Sequence, residues 1–227
     1  MLDRETREAA LTRQLDFIPM DSLSAQINII GAGAIGSWVA LSLAKMGFVD
    51  ITVWDMDEIS IENMNCQFYP ISHVGKLKVD VLKEMVAAFT GVNIQTANKY
   101  EGQPLSGIVI SSLDNMATRK LVFDSRVSTT EWIIDPRMSL EAASLATCNC
   151  QDSASVARYS KTLYSDDAAV QERCTAKSTI YTANLISGLV CKTVKDIATK
   201  SNQDLIKMAE WHIGKNQLIS FGYGKEN

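Results

Sequence analysis

The sequence predicts an α/β fold: a Rossmann-like, mostly parallel sheet with helices on both faces, extended by antiparallel strands in the C-terminal half. Three observations predict it. A glycine-rich turn, Gly31-Ala32-Gly33-Ala34-Ile35-Gly36, stands directly between an apolar run and a helical pattern. Short strand-like runs alternate with helical periodicity as far as about residue 138, an order that gives right-handed crossovers and a parallel sheet. Beyond about Leu140, strand-like runs follow one another closely, as antiparallel neighbours do.

Taken in order, "QINIIGAG" is a first strand ending in glycines, and "AIGSWVALSLAKMG" is a helix that Gly47 is placed to stop. "DITVWD" is a second strand. The polar stretch "DMDEISIENMNCQFYP", residues 55–70, follows where an ordinary turn would suffice. A helix is expected over roughly Leu77 to Phe89, then "VNIQTA" and "GIVISS" as strands, a helix from about Asn115 to Val127, and "WIID" as a strand. "ASLATCNC" and "SVARYS" read as further strands. "SDDAAVQERC" reads as a short helix with Ser165 as N-cap and acids in its first turn. A longer helix is expected from about Ser178 to Lys200. Its stripe of Ile180, Ala183, Ile186, Leu189, Val190, Val194 and Ile197 suits core packing, and Gly188 would permit a close helix contact. "IKMAEWHIG" then reads as a helix and "QLISFG" as a last short strand.

Composition narrows the function classes. With 227 residues, 46% of them hydrophobic, the chain can bury a full core. A net charge of −4 argues against nucleic acid as the main partner, since phosphate-backbone binding needs clustered Lys and Arg. The N-terminus is charged and no window approaches the roughly 18 apolar residues of a membrane span. Neither signal peptide nor anchor is therefore expected, and the location is expected to be cytoplasmic. Five cysteines at irregular spacings fit reduced thiols better than a disulfide framework.

The chemistry starts at the glycine turn, where backbone and helix N-terminus can both approach a nucleotide phosphate. Asp55 lies 19 residues beyond Gly36 at the end of the second strand, where a carboxylate can take both ribose hydroxyls. A purely structural turn is the alternative. An NAD-dependent oxidoreductase is the usual meaning of such a pair, but it needs an acid or base on the substrate side. The only histidines are His73, in a loop, and His212, on a segment read as an amphipathic helix. Other residues point to phosphate chemistry. Lys78, after "HVGKL", can reach a polyphosphate or be a surface lysine. Asp114, in "SLDNMATRK", can hold Mg2+ on a triphosphate or serve as a helix N-cap.

The order of the pieces is more specific than any one of them. G-A-G-A-I-G, D-x-D-x(5)-N-x-x-x-Q, G-K-x-K, S-L-D-N and E-R-C-T-A, over about Thr12 to Thr199, resemble the ThiF/MoeB/HesA family of adenylating enzymes. That family shares its fold with the activating enzymes for ubiquitin-like proteins. The resemblance implies a single adenylation domain over 1–227, with an N-terminal helical segment (1–25), a nucleotide-binding half (26–138) and a half for substrate and dimer contacts (139–227). It implies ATP and Mg2+ as cofactors, and adenylation of a carboxylate, typically the C-terminal glycine of a small ubiquitin-like or sulfur-carrier protein. By position it implies Gly31, Gly33 and Gly36 at the nucleotide, Asp55 on ribose and Asp57 near the adenylate. It places Asn63 and Gln67 on the phosphate side, Lys78 on the phosphates and Asp114 on magnesium. A homodimer is implied too, with Arg13 in "LTRQLDF" reaching the neighbouring site.

Two departures stand out. Where the family commonly has asparagine-arginine-glutamine, this chain has Asn65-Cys66-Gln67: either Cys66 is a neutral replacement or, if the chain adenylates, the charge comes from Arg13, Arg137 or Lys78, with a solvated helix face the alternative for Arg13 and a structural salt bridge that for Arg137. Where many relatives carry two C-x-x-C pairs for zinc, it has only Cys148-Asn149-Cys150, for which buried thiols are expected rather than a metal. Cys174, beside Arg173 and Lys177, matches the region where the family places a cysteine for thioester or persulfide chemistry; a small buried hydrophobe is the alternative. The arginine-to-cysteine departure also leaves open a catalytically idle binding module.

Overall fold

The structure, a computed structural model, describes residues 4–164, 178–201, 205–212, 215 and 217–222. Eight strands form one sheet: β1 (Ile27–Ile30), β2 (Ile51–Trp54), β3 (Gln95–Ala97), β4 (Gly107–Ser111), β5 (Thr130–Met138), β6 (Ala142–Asn149), β7 (Ile206–His212) and β8 (Gln217–Gly222). Their order is β3-β2-β1-β4-β5-β6-β7-β8. Every pairing from β3 through to β5 is parallel, and β5 through β8 are antiparallel. β1 pairs with β2 on one side and β4 on the other, so the strand order reverses between β1 and β4. Such a switch point leaves a crevice outside the carboxyl ends of the strands.

Alternation along the strands divides the core in two. Ile108, Ile110, Trp132, Ile134 and Leu145 face one side. There α2 (Gly36–Lys45) packs on α3 (Lys78–Thr90) and α6 (Ile180–Ala198). Ile30, Val109, Ile133 and Cys148 face the other, with Val122 and Phe123 of α4 (Met116–Asp124) and Tyr159 of α5 (Ser153–Ser160). A sheet covered on both faces is the reason its central strands read as continuous apolar runs. The N-terminal segment, which includes α1 (Arg4–Leu11), docks on the end of α2: Arg7 donates to the carbonyl of Gly47 (3.0 Å) and Gln14 to that of Met46 (2.6 Å). These bonds take up carbonyls that the helix terminus and its following turn leave without intrahelical partners. Among the described residues no helix is long and apolar enough to cross a membrane.

Three expectations are corrected. "SVARYS" is not a strand but α5, because the Asp152 side chain caps it, accepting from the N–H groups of Ala154 and Ser155, and Tyr159 is buried one turn beyond Ser155. "IKMAEWHIG" is not a helix; residues 206–212 are β7, paired antiparallel to β6 with Ala209 opposite Leu145, both fully buried. His212 therefore sits on a strand, 4.0 Å from Glu210. Gly188 makes no close contact: a Cβ built there meets nothing within 4 Å, because this face of α6 is exposed. The helix expected over residues 165–174 lies outside the described residues.

Candidate active site

A cleft of about 1530 Å³ opens at the carboxyl ends of β1, β2 and β4, and the long polar stretch after β2 lines one wall. Of the residues expected to act, Gly31, Gly33, Asp55, Asp57, Asn63, Gln67, Lys78, Asp114 and Arg137 all line it, and so does Cys66. Arg13 does not: it is exposed, on the turn after α1, outside its own chain's cleft. Cys174 lies outside the described residues. Ser178, four residues further on, does reach the cleft, with its hydroxyl 3.1 Å from the Cys66 sulfur.

The glycines divide by task. A Cβ at Gly36 would stand 1.9 Å from the Gly31 carbonyl oxygen, and one at Gly31, where φ is +96°, 2.4 Å from that of Ser112. Both let the turn close against β4. At Gly33 a Cβ would meet, among the described residues, only Gln67 Nε2, at 3.9 Å, so this glycine leaves room on the cleft side.

Asp55 is fixed before any ligand arrives. Its Oδ2 accepts from the N–H of Ala32 (2.6 Å) and its Oδ1 from the N–H of Asp57 (2.8 Å), and each oxygen keeps further acceptor capacity. Tyr69 fastens the same turn from below, donating to the Ala32 carbonyl (2.7 Å); burial and then the nearby Asp55 carboxylate push its pKa up, so it stays a donor. Lys78, at the start of α3, is buried, and its ammonium is 2.7 Å from Oδ2 of the exposed Asp57. Asn63 is partly committed to local structure. Its Oδ1 accepts from the Ser60 N–H in a reciprocal cap that fixes the 3-10 turn Ile61–Asn63.

At the end of β4 the two adjacent polar residues separate their roles. Asn115, not Asp114, caps α4, accepting from the Thr118 N–H (2.8 Å). Asp114 is left exposed at the cleft, touched by the Asn115 side-chain amide at 3.1 Å. A single carboxylate beside a triphosphate is a donor set that suits Mg2+, which takes few protein oxygens and completes its shell with phosphate and water. Two buried polar atoms of cleft residues, Trp54 Nε1 and Gln67 Oε1, have no hydrogen-bond partner among the described residues, which fits a site built for a polar ligand.

The cleft also contains a charge cluster in which Arg137 makes the structural salt bridge that is its alternative reading, with Asp135 and Arg119, which sequence reading does not single out. Asp135, fully buried on β5, binds two arginines: Arg119 of α4, and Arg137, whose Nε and Nη2 lie 3.0 and 2.6 Å from Oδ2. The Tyr159 hydroxyl donates to the same carboxylate (3.0 Å). Arg119 donates as well to the carbonyls of Ser111, Leu113 and Pro136. Burial, and then the neighbouring Arg137 guanidinium, lower its pKa to about 10, so it remains charged at neutral pH. Two guanidiniums share one carboxylate, and one positive charge is in surplus. The available signals were an acid inside the apolar run "WIID" and an arginine four residues after Asn115, on the same helix face.

A model of the ThiF family matches residues 12–218. Over 63 residues, 27% of this chain, the sequence is 44% identical to the tRNA threonylcarbamoyladenosine dehydratase of Haemophilus influenzae, covering 24% of that protein. Over 106 residues, 43% of this chain, it is 35% identical to the NEDD8-activating enzyme E1 catalytic subunit of Dictyostelium discoideum, again covering 24%. The matched stretches thus span about a quarter of the length of these relatives. The crystal structure of MccB from E. coli with ATP has the same fold, with a TM-score of 0.69 at 17% identity over 91% of this chain and 66% of that one.

Proposed function

Because the chain belongs to the ThiF family, we propose that it adenylates a carboxylate with ATP, the substrate being the C-terminal glycine of a small ubiquitin-like or sulfur-carrier protein. The observation that carries this reading is the convergence of the Gly33 opening, Asp55, Lys78, Asp114 and Arg137 on one cleft at the switch point of the sheet. A relative named for activating NEDD8 and a neighbour crystallised with ATP support it. The relative named for a tRNA nucleoside offers a different carboxylate, and a net charge of −4 favours the protein substrate.

In this reading a carboxylate oxygen attacks the α-phosphorus, the bond from that phosphorus to the bridging oxygen breaks, and pyrophosphate leaves an acyl-adenylate. The demand on the protein is to hold groups in line and offset charge. Asp55 takes the ribose hydroxyls, already aimed by Ala32 and Asp57. The turn around Gly33 takes the phosphates at the start of α2. Asp114 would hold Mg2+, which supplies charge neutralisation on the triphosphate. Lys78 faces the phosphates while its pairing with Asp57 offsets part of its charge. The surplus cation of the Arg119–Asp135–Arg137 cluster then takes over from the arginine that the family carries at Cys66. Arg13, unused in its own cleft, serves the site of a second copy in a homodimer, and Cys174 accepts the acyl group from the adenylate.

ATP–pyrophosphate exchange with candidate carriers ending in glycine tests the adenylation step. Exchange is expected with wild type and lost in Asp114→Ala. Exchange at background with every carrier, in folded protein that binds ATP, would leave the idle binding module as the better reading.

A further inference from the structure

On the face of the sheet opposite α6, β6 ends in a pair of thiols that the proposed reaction does not use. Cys148 is fully buried beside Phe123 and Tyr159; Cys150, at the turn after the strand, is half-buried. The Cys150 side chain folds back onto Cys148, its Sγ donating to the Cys148 carbonyl at 3.9 Å. Two cations flank them: Arg126, stacked 3.8 Å from the Phe123 ring, and Arg158, whose guanidinium donates to Ser155 Oγ at 2.9 Å. Ser155 Oγ in turn accepts from the Asn149 N–H between the cysteines. The pair ionises as a unit. The neighbouring Cys150 thiol lowers the pKa of Cys148 against the opposing effect of burial, with Arg126, Ser155 and Arg158 helping, while Cys148 and burial push the pKa of Cys150 up.

The spacing suits ring closure. Residues i and i+2 on an extended strand lie about 6.6–6.8 Å apart at Cα, the long limit of what a disulfide spans, and the turn at Cys150 shortens the reach. A bridge near that limit is strained, so thiols reopen it readily.

We propose that Cys148 and Cys150 are a reversible oxidation site, a vicinal dithiol that a small hydroperoxide converts to an intramolecular disulfide. The thiolate sulfur attacks the hydroperoxide, the O–O bond breaks, and the sulfur becomes a sulfenic acid as water or an alcohol leaves. The second thiol then attacks that sulfur, its proton leaves with the hydroxyl as water, and the S–S bond forms. One hydroperoxide is reduced for each two thiols oxidised. Cys150 gives access from solvent. Cys191 is the internal control, a buried lone thiol whose pKa burial raises to about 12.

The test treats the full native chain with hydrogen peroxide, alkylates the remaining thiols after unfolding, and reads the peptide carrying both cysteines by mass. The expected result is a peptide lighter by two hydrogens, closed to alkylation, reopened by dithiothreitol, and formed faster in folded than in urea-unfolded protein. Cys148→Ser, which leaves the thiol that solvent reaches, is expected to lose the bridge and accumulate a dimedone-reactive sulfenic acid at Cys150; Cys150→Ser should lose the bridge as well. Full alkylation of both thiols under peroxide that oxidises Cys66 or Cys191 would overturn the proposal. So would a bridge from either cysteine to a third one, or equal rates in folded and unfolded protein.

Discussion

At the scale of single residues, the cleft separates groups that hold the fold from groups left for a ligand, and substitutions should show the difference. Gly36→Ala forces a Cβ to within 1.9 Å of the Gly31 carbonyl, against backbone that cannot yield. The expected outcome is an unfolded or strongly destabilised chain in a urea melt. Gly33→Ala has room, with its nearest neighbour at 3.9 Å. It should melt like wild type while ATP binding weakens, measured by calorimetry. The charge cluster gives a third contrast. Asp135→Asn removes the carboxylate that Arg119 and Arg137 share, and removing one partner of a buried ion group costs about 3–5 kcal/mol. Urea denaturation reads that loss directly, and a cost below about 1 kcal/mol would mean that solvent already screens the pair. Sequence alone could propose Arg137 but not its neighbour. Asp135 and Arg119 are 16 residues apart, on a strand and a helix, and only the packing of α4 against β5 joins them.

At the scale of elements, the parallel half of the sheet was legible because its signals are local. β1, β2 and β4 are largely apolar runs closed by glycine, polar or acidic residues, and the helices between them carry their own periodicity. Asn115 illustrates how finely this can be tested. It caps α4 and leaves its neighbour Asp114 exposed at the cleft. Asn115→Ala should therefore cost about 1 kcal/mol of stability, as loss of an N-cap does. Asp114→Asn should leave the melting temperature nearly unchanged and abolish exchange. The C-terminal half was misread where its structure depends on distant partners. β7 is a strand because its backbone completes the exposed edge of β6 and because Ala209 fits against Leu145. Spacing within "IKMAEWH" carries neither fact, and a short apolar segment obeys whichever partner it meets. α5 was misread for a different reason. Val156 and Tyr159 favour strands intrinsically, but the Asp152 cap and the burial of Tyr159 outweigh that preference.

At the scale of the whole molecule, the cleft draws on both sides of the switch point: Asp55 follows β2, Asp114 follows β4, and Arg137 lies on β5 near the start of the antiparallel extension. A ligand seated there ties these strands together, so its binding free energy should appear in the stability of the fold as a unit. For a two-state chain with ATP and magnesium at about one hundred times Kd, linkage adds about 2.7 kcal/mol, which raises Tm by roughly 5–10 °C for a chain of this size. Differential scanning fluorimetry measures that shift, and the choice of ligand makes it discriminating. An adenylating site with Asp55 on ribose should respond to ATP with magnesium, with a smaller shift in Asp114→Ala, and should respond weakly to NADH at equal concentration. The reverse order, a large shift with NADH and none with ATP, would restore the oxidoreductase reading that Gly31 to Gly36 and Asp55 first suggest. The charge balance around the cleft sharpens the expectation further. Asp55, Asp57, Glu62, Asp114 and the buried Asp135 stand against Lys78, Lys99, Arg119 and Arg137, so the charges around the cleft sum to one negative and offer a triphosphate no net positive charge. Removing magnesium with a chelator should therefore cost most of the ATP-induced shift, because the surplus guanidinium of the Arg119–Asp135–Arg137 cluster alone would not offset a triphosphate.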